Sequence, residues 1–152
     1  MKKIIFTLAL GLLSAVGANA QDVQNTKGDW YLGTGNIADI SWTEWSVSPT
    51  IGYGVNDDLM VGLNLSQANS DADFLVDLHA RYFLSVNGQD LFVYTSLEDV
   101  VDFSTDNLNV GVGKLFTLRK NVYVDPKIVF NIGETTTNLQ LGFGFRFNNN
   151  LK

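Results

Sequence analysis

The sequence predicts an all-β protein built as an eight-stranded antiparallel up-and-down barrel, and three observations support this prediction. Apolar residues alternate with polar or small ones in eight segments, which is the period of a β-strand. Short stretches rich in Asn, Asp and Gly separate many of these segments. After residue 20, no segment has the period of an amphipathic helix. The short connections favour antiparallel hairpins, and an even number of strands brings both chain ends to one side.

The first twenty residues have the three parts of a secretory signal peptide. The chain begins with M-K-K, continues with an apolar run over residues 4–13, and reaches the cleavage pattern A-N-A at residues 18–20. The apolar run is shorter than the roughly 20 residues that a membrane-spanning helix needs. We therefore expect residues 1–20 to be a cleaved signal peptide and residues 21–152 to be a single barrel domain.

Composition excludes several classes of function. Loss of the two leader lysines changes the formal net charge from −6 to −8, so the exported chain is unsuited to neutralising nucleic-acid phosphates. The absence of cysteine excludes disulfides, thiol catalysis and cysteine metal sites. The sequence also lacks a metal-ligand cluster, a phosphate-binding glycine loop and a nucleophile motif. We expect a protein that is not an enzyme and has no metal or cofactor.

The N-terminal half is predicted to contain four strands, at residues 28–35, 42–55, 59–66 and 73–83. In each of them apolar side chains occupy every second position. The tripeptide N-D-D forms a tight turn between the second and third strands, and polar loops follow the first and third. Pro49 interrupts the second strand, and because proline has no N–H to donate to the sheet, we expect a β-bulge or a missing ladder bond there.

The C-terminal half is predicted to contain four more strands, at residues 91–97, 107–116, 122–131 and 137–147. The fifth follows an N-G pair that is typical of hairpins, and its facing stays open because it is apolar on both faces. An acidic loop with an apolar patch leads to the sixth, and the turn R-K-N leads to the seventh. The last strand has the cleanest alternation in the chain, T-N-L-Q-L-G-F-G-F-R-F.

Three features favour a barrel whose apolar face lies outside, against membrane lipid. Nine of the twelve glycines after the leader fall on the small or polar face, which suits the narrow interior of an eight-stranded barrel. That face also carries charges of both signs, which can pair inside the barrel; with the histidine between two of them, they are Glu44, Asp77, His79, Arg81, Asp125, Lys127 and Arg146. Aromatic residues lie near strand ends on the apolar face, as in the girdles of membrane barrels; they are Trp30, Trp45, Tyr53, Phe74, Tyr82, Phe130 and Phe147.

The last strand carries the pattern Gln140-x-Gly142-x-x-Phe145-x-Phe147. This pattern resembles the C-terminal β-signal that the outer-membrane assembly machinery reads. The exported chain as a whole resembles the small outer-membrane β-barrel family, the OmpA/OmpX-type eight-stranded barrels. Members of that family usually end on the terminal aromatic residue, whereas here residues 148–152 follow Phe147.

The resemblance implies a place in the cell outer membrane and a structural or surface-interaction role. The partners that it implies are outer-membrane lipid, lipopolysaccharide and the assembly machinery, and the chain is expected to be a monomer that binds no nucleic acid. Two other functions stay open on the sequence. One is a narrow, porin-like outer-membrane channel, and the other is a soluble periplasmic barrel that binds an apolar ligand, as lipocalins do.

Two possible sites have a simple structural interpretation. His79 is the only histidine, and barrel enzymes that modify lipid A would pair it with serine in a His-x-Ser sequence, whereas this chain reads H-A-R. We expect His79 to join an interior hydrogen-bond network. The acidic residues of the loop at 98–106 lack the spacing of a calcium-binding loop, so we expect them to be solvated.

Overall fold

The structure is a computed structural model that describes residues 25–37, 48–66, 74–86, 89–102, 104–119 and 121–147. The predicted signal peptide lies outside the described residues, and so do Glu44 and Trp45. Within the described ranges, no helix is long and apolar enough to cross a membrane.

Nine strand segments and one turn of 3₁₀ helix make up the described secondary structure. The strands are β1 Trp30–Thr34, β2 Pro49–Gly54, β3 Leu59–Ser66, β4 Leu75–Val86, β5 Gln89–Leu97, β6 Leu108–Lys114, β7 Phe116–Arg119, β8 Val122–Asn131 and β9 Thr136–Phe147. The 3₁₀ turn, Thr105–Asn107, lies within the acidic loop region. The predicted third and seventh strands have the same bounds as β3 and β8, whereas the predicted sixth strand is divided into β6 and β7.

The strands close into a barrel in which all pairings are antiparallel. Neighbours pair in order from β1 to β6, β1 pairs with β9, and β9 pairs with β8. Strand β8 completes the circle by pairing with β6 over one part of its length and with β7 over another. Because β6 and β7 occupy one position in the wall, the barrel has eight strands, which confirms the predicted eight-stranded antiparallel barrel.

The two ends of the barrel differ in their connections. We call the end at which the described chain begins and finishes the terminal end, and the opposite end the loop end. Short turns at the terminal end join β2 to β3, β4 to β5 and β7 to β8. The other four connections lie at the loop end, and all of them except the turn between β8 and β9 are longer than these turns. In the first of the short turns, the Asn56 side-chain oxygen accepts hydrogen bonds from the backbone N–H groups of Asp58 and Leu59.

The wall is interrupted at Pro126. Strand β8 pairs with β6 as far as Lys127 with Gly113, and pairing resumes with β7 at Val124 and Phe116. The same register holds on both sides of the gap, so no residue has been inserted. The interruption therefore comes from a missing bond and not from a bulge.

The direction of the ladder bonds explains the gap. The backbone N–H of Ile132 donates to the carbonyl oxygen of Leu108 across this seam, at 2.9 Å. Since every second residue of an antiparallel strand faces the same neighbour, the backbone nitrogen of Pro126 lies opposite the carbonyl of Lys114. Proline has no N–H to donate, so the ladder stops at this point.

Pro49, where an irregularity was expected, occupies a more tolerant position. It is the first residue of β2, and the pairing of β2 with β3 begins one residue later, at Thr50. A strand's first residue is one of the few places in a sheet that accept proline.

The apolar face of the barrel lies outside. In β3, the exposed side chains are Val61, Leu63 and Leu65, while the alternate positions face inward. The facing of β5 is also clear, because Phe92 is 1% exposed on the inside and its neighbour Val93 is 44% exposed on the outside.

Candidate functional site

A polar cavity occupies the loop-end half of the barrel interior. It has a volume of about 250 Å³. We call it the cup, and its amide and hydroxyl lining comes from Asn36, Ser48, Asn64, Ser66, Ser96, Asn109 and Gln140. These residues come from strands all round the barrel and from the connection after β1. Their hydrogen-bonding groups can bind water or a small polar solute.

A buried ion pair lies at the bottom of the cup. Arg81 Nη2 lies 2.6 Å from Asp125 Oδ2, and the two side chains are 3% and 0% exposed. Lys127 Nζ lies 3.9 Å from the same oxygen and donates a hydrogen bond to the carbonyl oxygen of Gly35 at 2.9 Å. The guanidinium of Arg81 also lies 5.0 Å from the centroid of the Phe92 ring. Pairing of this kind is what makes a buried charge tolerable.

His79 belongs to the same layer and also lines the cup. The ring is 2% exposed and stacks on Tyr94, with centroids 6.0 Å apart. Among the described residues, neither ring nitrogen has a hydrogen-bond partner. Ser96 is the cross-strand neighbour of His79, yet its hydroxyl accepts a hydrogen bond from Asn109. The hydrogen bonds expected of His79 in an interior network are therefore not seen among the described residues.

The terminal-end half of the interior is filled by large apolar and aromatic side chains. We call this group the plug, and it consists of Tyr31, Met60, Phe83, Phe92, Leu115 and Tyr123, all 5% exposed or less. Two edge-to-face contacts hold its rings, Tyr31 with Tyr123 at 5.7 Å and Phe83 with Phe92 at 5.8 Å between centroids. Such packing leaves the cup with a closed bottom.

The segment before β1 covers the plug at the terminal end. Asp29 is fully buried, accepts a hydrogen bond from the backbone N–H of Thr26, and lies 3.3 Å from Arg146 Nε. Burial raises the pKa of the Asp29 carboxyl, and the nearby Arg146 opposes that shift. The Tyr31 hydroxyl donates to the side-chain oxygen of Asn25, which is itself buried. The polar contacts of this segment thus cover the apolar plug at the terminal end.

The predicted interior network is therefore distributed over several levels. Arg81, Asp125 and Lys127 come together in one cluster with His79 beside them. Arg146 belongs to the terminal end, where its partner Asp29 had no predicted role. Asp77 lies at the cup rim and accepts a hydrogen bond from the backbone N–H of Asp99.

The predicted girdle residues lie on the outer surface at both ends. Four are near the terminal end and two near the loop end, and all are at least 37% exposed; they are Trp30, Tyr53, Tyr82 and Phe147, then Phe74 and Phe130. The Trp30 and Tyr53 rings contact each other, with centroids 4.9 Å apart.

The predicted β-signal residues divide between the two faces of β9. Gln140 lines the cup, and Gly142 lies against the buried Asp125 carboxylate. Phe145 and Phe147 point outward and are exposed. The polar and small positions of the pattern thus also have a packing role inside the barrel.

The plug is the feature that sequence analysis missed. Several of its members, including Tyr31, Met60 and Tyr123, alternate with glycine or charged residues on the inward face. The signal that could have revealed it is the clustering of these large inward residues near the terminal-end turns. Within the described part of the chain, no group of three or more His, Asp or Glu residues is placed to hold a metal ion. No family model, curated protein or solved structure matches this chain.

Proposed function

We propose that this protein is a small integral β-barrel of the bacterial outer membrane, with a structural or surface-interaction role and no catalytic activity. The observation that carries the proposal is the outer surface. Each of the eight strands in the wall of the closed barrel exposes large apolar side chains there. A monomeric protein in water rarely exposes an apolar surface of this extent. A lipid environment covers it, and closure of the barrel leaves no free sheet edge, the single gap at Pro126 apart.

The arrangement of the interior gives the same proposal more detail. A lipocalin-like carrier needs an apolar pocket and a polar exterior, whereas this barrel has a polar cup and an apolar exterior. A channel needs a continuous lumen, and the plug lies across the interior between the cup and the terminal end. A barrel that offers a rigid wall and loop-end connections suits a structural or surface role.

Cell fractionation tests the location. The protein is expected in the outer-membrane fraction, to need detergent for extraction, and to migrate differently on gels before and after heating. A periplasmic protein expressed in the same cells serves as the control for leakage. Recovery from the soluble periplasm without detergent would rule out the membrane proposal.

Phe147 offers a test of the proposed assembly signal. We expect Phe147→Ser to lower the amount of barrel assembled in the outer membrane of cells. Phe130→Ser is the matched control, because Phe130 is also an outward aromatic residue but lies outside the pattern. Both variants are expected to refold equally in detergent, where no assembly machinery is present. Equal assembly of the two variants in cells would contradict the role in recognition.

A further inference from the structure

The gap in the wall at Pro126 opens an apolar groove on the outer surface. The groove has a volume of about 480 Å³. Its lining includes Leu84, Leu91, Val112, Ile128 and Leu139, which come from five neighbouring strands of the wall. Three of them, Val112, Ile128 and Leu139, are more than half exposed. A depression of this shape in a lipid-facing wall fits an apolar chain.

The groove also contains a positive charge. Lys114 lines it, and its Nζ lies 4.9 Å from the centroid of the Phe116 ring. No acidic side chain among the described residues forms an ion pair with Lys114. Phe116 is two residues nearer the terminal end, so the amine extends along the wall toward the membrane surface on that side, as lysine side chains do near an interface.

A lysine on a lipid-facing wall is costly at the membrane centre but not near the interface, where an anionic headgroup can pair with its amine. The same groove thus offers two kinds of contact, apolar walls for an acyl chain and a lysine for an anion. A phospholipid supplies both contacts, because its acyl chain lies in the hydrocarbon region while its phosphate lies at the membrane surface.

We propose that this groove binds one anionic phospholipid, with an acyl chain along Leu91, Ile128 and Leu139 and the phosphate at Lys114. The inference rests on the proposed membrane location. Pro126 is the residue that creates the site, because its missing N–H interrupts the wall beside Lys114.

The test uses the full exported barrel in vesicles of phosphatidylcholine that contain some phosphatidylglycerol, followed by gentle release and native mass spectrometry. The wild-type barrel is expected to retain one phosphatidylglycerol. Lys114→Gln is expected to lower retention about tenfold, the effect of losing roughly one charge-assisted hydrogen bond, and Lys114→Arg to preserve it. Lys27→Gln is the charge control, since Lys27 lies exposed at the terminal end.

A second pair of variants tests the groove separately from the charge. Val112→Trp fills the groove and is expected to abolish retention while Lys114 is intact. Val110→Trp is the matched control, because Val110 points outward from the same strand but does not line the groove. Retention that survives Val112→Trp, or that is the same for phosphatidylcholine, would overturn the inference.

Other outcomes separate this inference from the proposed location. A barrel that inserts into vesicles with heat-modifiable mobility but retains no phospholipid refutes the lipid site and leaves the membrane location standing. A dimer that Val112→Trp disrupts would identify the groove as an interface between copies, which also refutes it. A chain that fails to enter vesicles at all refutes both proposals together.

Discussion

The two halves of the barrel interior bury their side chains in different ways. In the loop-end half, amides and hydroxyls surround a cavity of about 250 Å³, where water can complete their hydrogen bonds. In the terminal-end half, rings and a methionine fill the space between the strands. The Arg81–Asp125 pair lies at the boundary between them. The comparison predicts that substitutions at the boundary and in the terminal-end half lower the free energy of unfolding most, because no water there can replace a lost contact.

Removal of the boundary arginine is expected to have the largest effect. Arg81→Leu leaves the Asp125 carboxylate buried without its nearest partner, so we expect a loss of about 3–5 kcal/mol in the free energy of unfolding. The measurement is the fraction of barrel folded in increasing denaturant, read from heat-modifiable gel mobility. The double variant Arg81→Leu with Asp125→Leu should recover part of the loss. A single variant as stable as the wild type would place the boundary pair outside the stabilising region.

Two glycines give a second comparison, Gly142 at the boundary and Gly35 beside the cup. A Cβ at Gly142 would overlap Asp125 Oδ1, whereas one at Gly35 would meet nothing closer than Thr50 Oγ1, at an ordinary 3.4 Å. We expect Gly142→Ala to cost about 1–3 kcal/mol, and Gly35→Ala less than about 0.5 kcal/mol. The same denaturant series measures both.

The Gly142 result also bears on the proposed assembly signal. Refolding in detergent involves no assembly machinery, so a defect seen there comes from packing against Asp125. A Gly142→Ala chain that refolds normally but assembles poorly in cells would assign the glycine to recognition alone. The two roles of this position can therefore be separated.

The fold was predictable from sequence because alternation was strong in most strands. The outward residues of β3 and β9 were placed correctly, since a strand with one apolar face fixes its own register. Strand β5 could not be assigned, because Phe92 and Val93 are both apolar and only the neighbours distinguish inside from outside. The plug was not predicted from the sequence for a related reason. Periodicity shows that Tyr31 and Tyr123 face inward, but not that they meet, and their contact depends on pairings far apart in the chain.

The two prolines show that a residue type can indicate an irregularity in a strand without fixing where the irregularity occurs. Pro49 and Pro126 both lie within predicted strands, and an irregularity was expected only at the first. The first lies at a strand end and disturbs little. Pro126 lies inside β8, and whether its missing N–H matters depends on which neighbour that position faces, which requires the register.

A cup residue is expected to be less sensitive than the boundary pair. Asn64 accepts a hydrogen bond from the Thr50 hydroxyl at 2.7 Å and lines the cavity. In Asn64→Ala, water in the cup can accept the hydroxyl's hydrogen bond, so the expected loss is below about 1 kcal/mol. A loss as large as that of Arg81→Leu would mean that the loop-end half is as tightly packed as the plug, and the contrast between the halves would fail.

The smallest expected effect is a change in pH dependence at the terminal end. Burial raises the pKa of Asp29 in the folded barrel above its ordinary value of 3.8, so the folded state binds the proton more tightly than the unfolded chain. Stability from this group is present below pH 3.8 and is lost as the pH rises through the folded pKa. Asp29→Asn removes that titration. As the pH rises through the acidic range, the free energy of unfolding of the variant should therefore fall less than that of the wild type. Denaturation series at several acidic pH values measure this difference, and equal pH dependence in the two proteins would contradict the raised pKa. A steeper fall in the wild type would show that the ionised Asp29 carboxylate destabilises the terminal end, because Arg146 offsets the cost of its burial only in part.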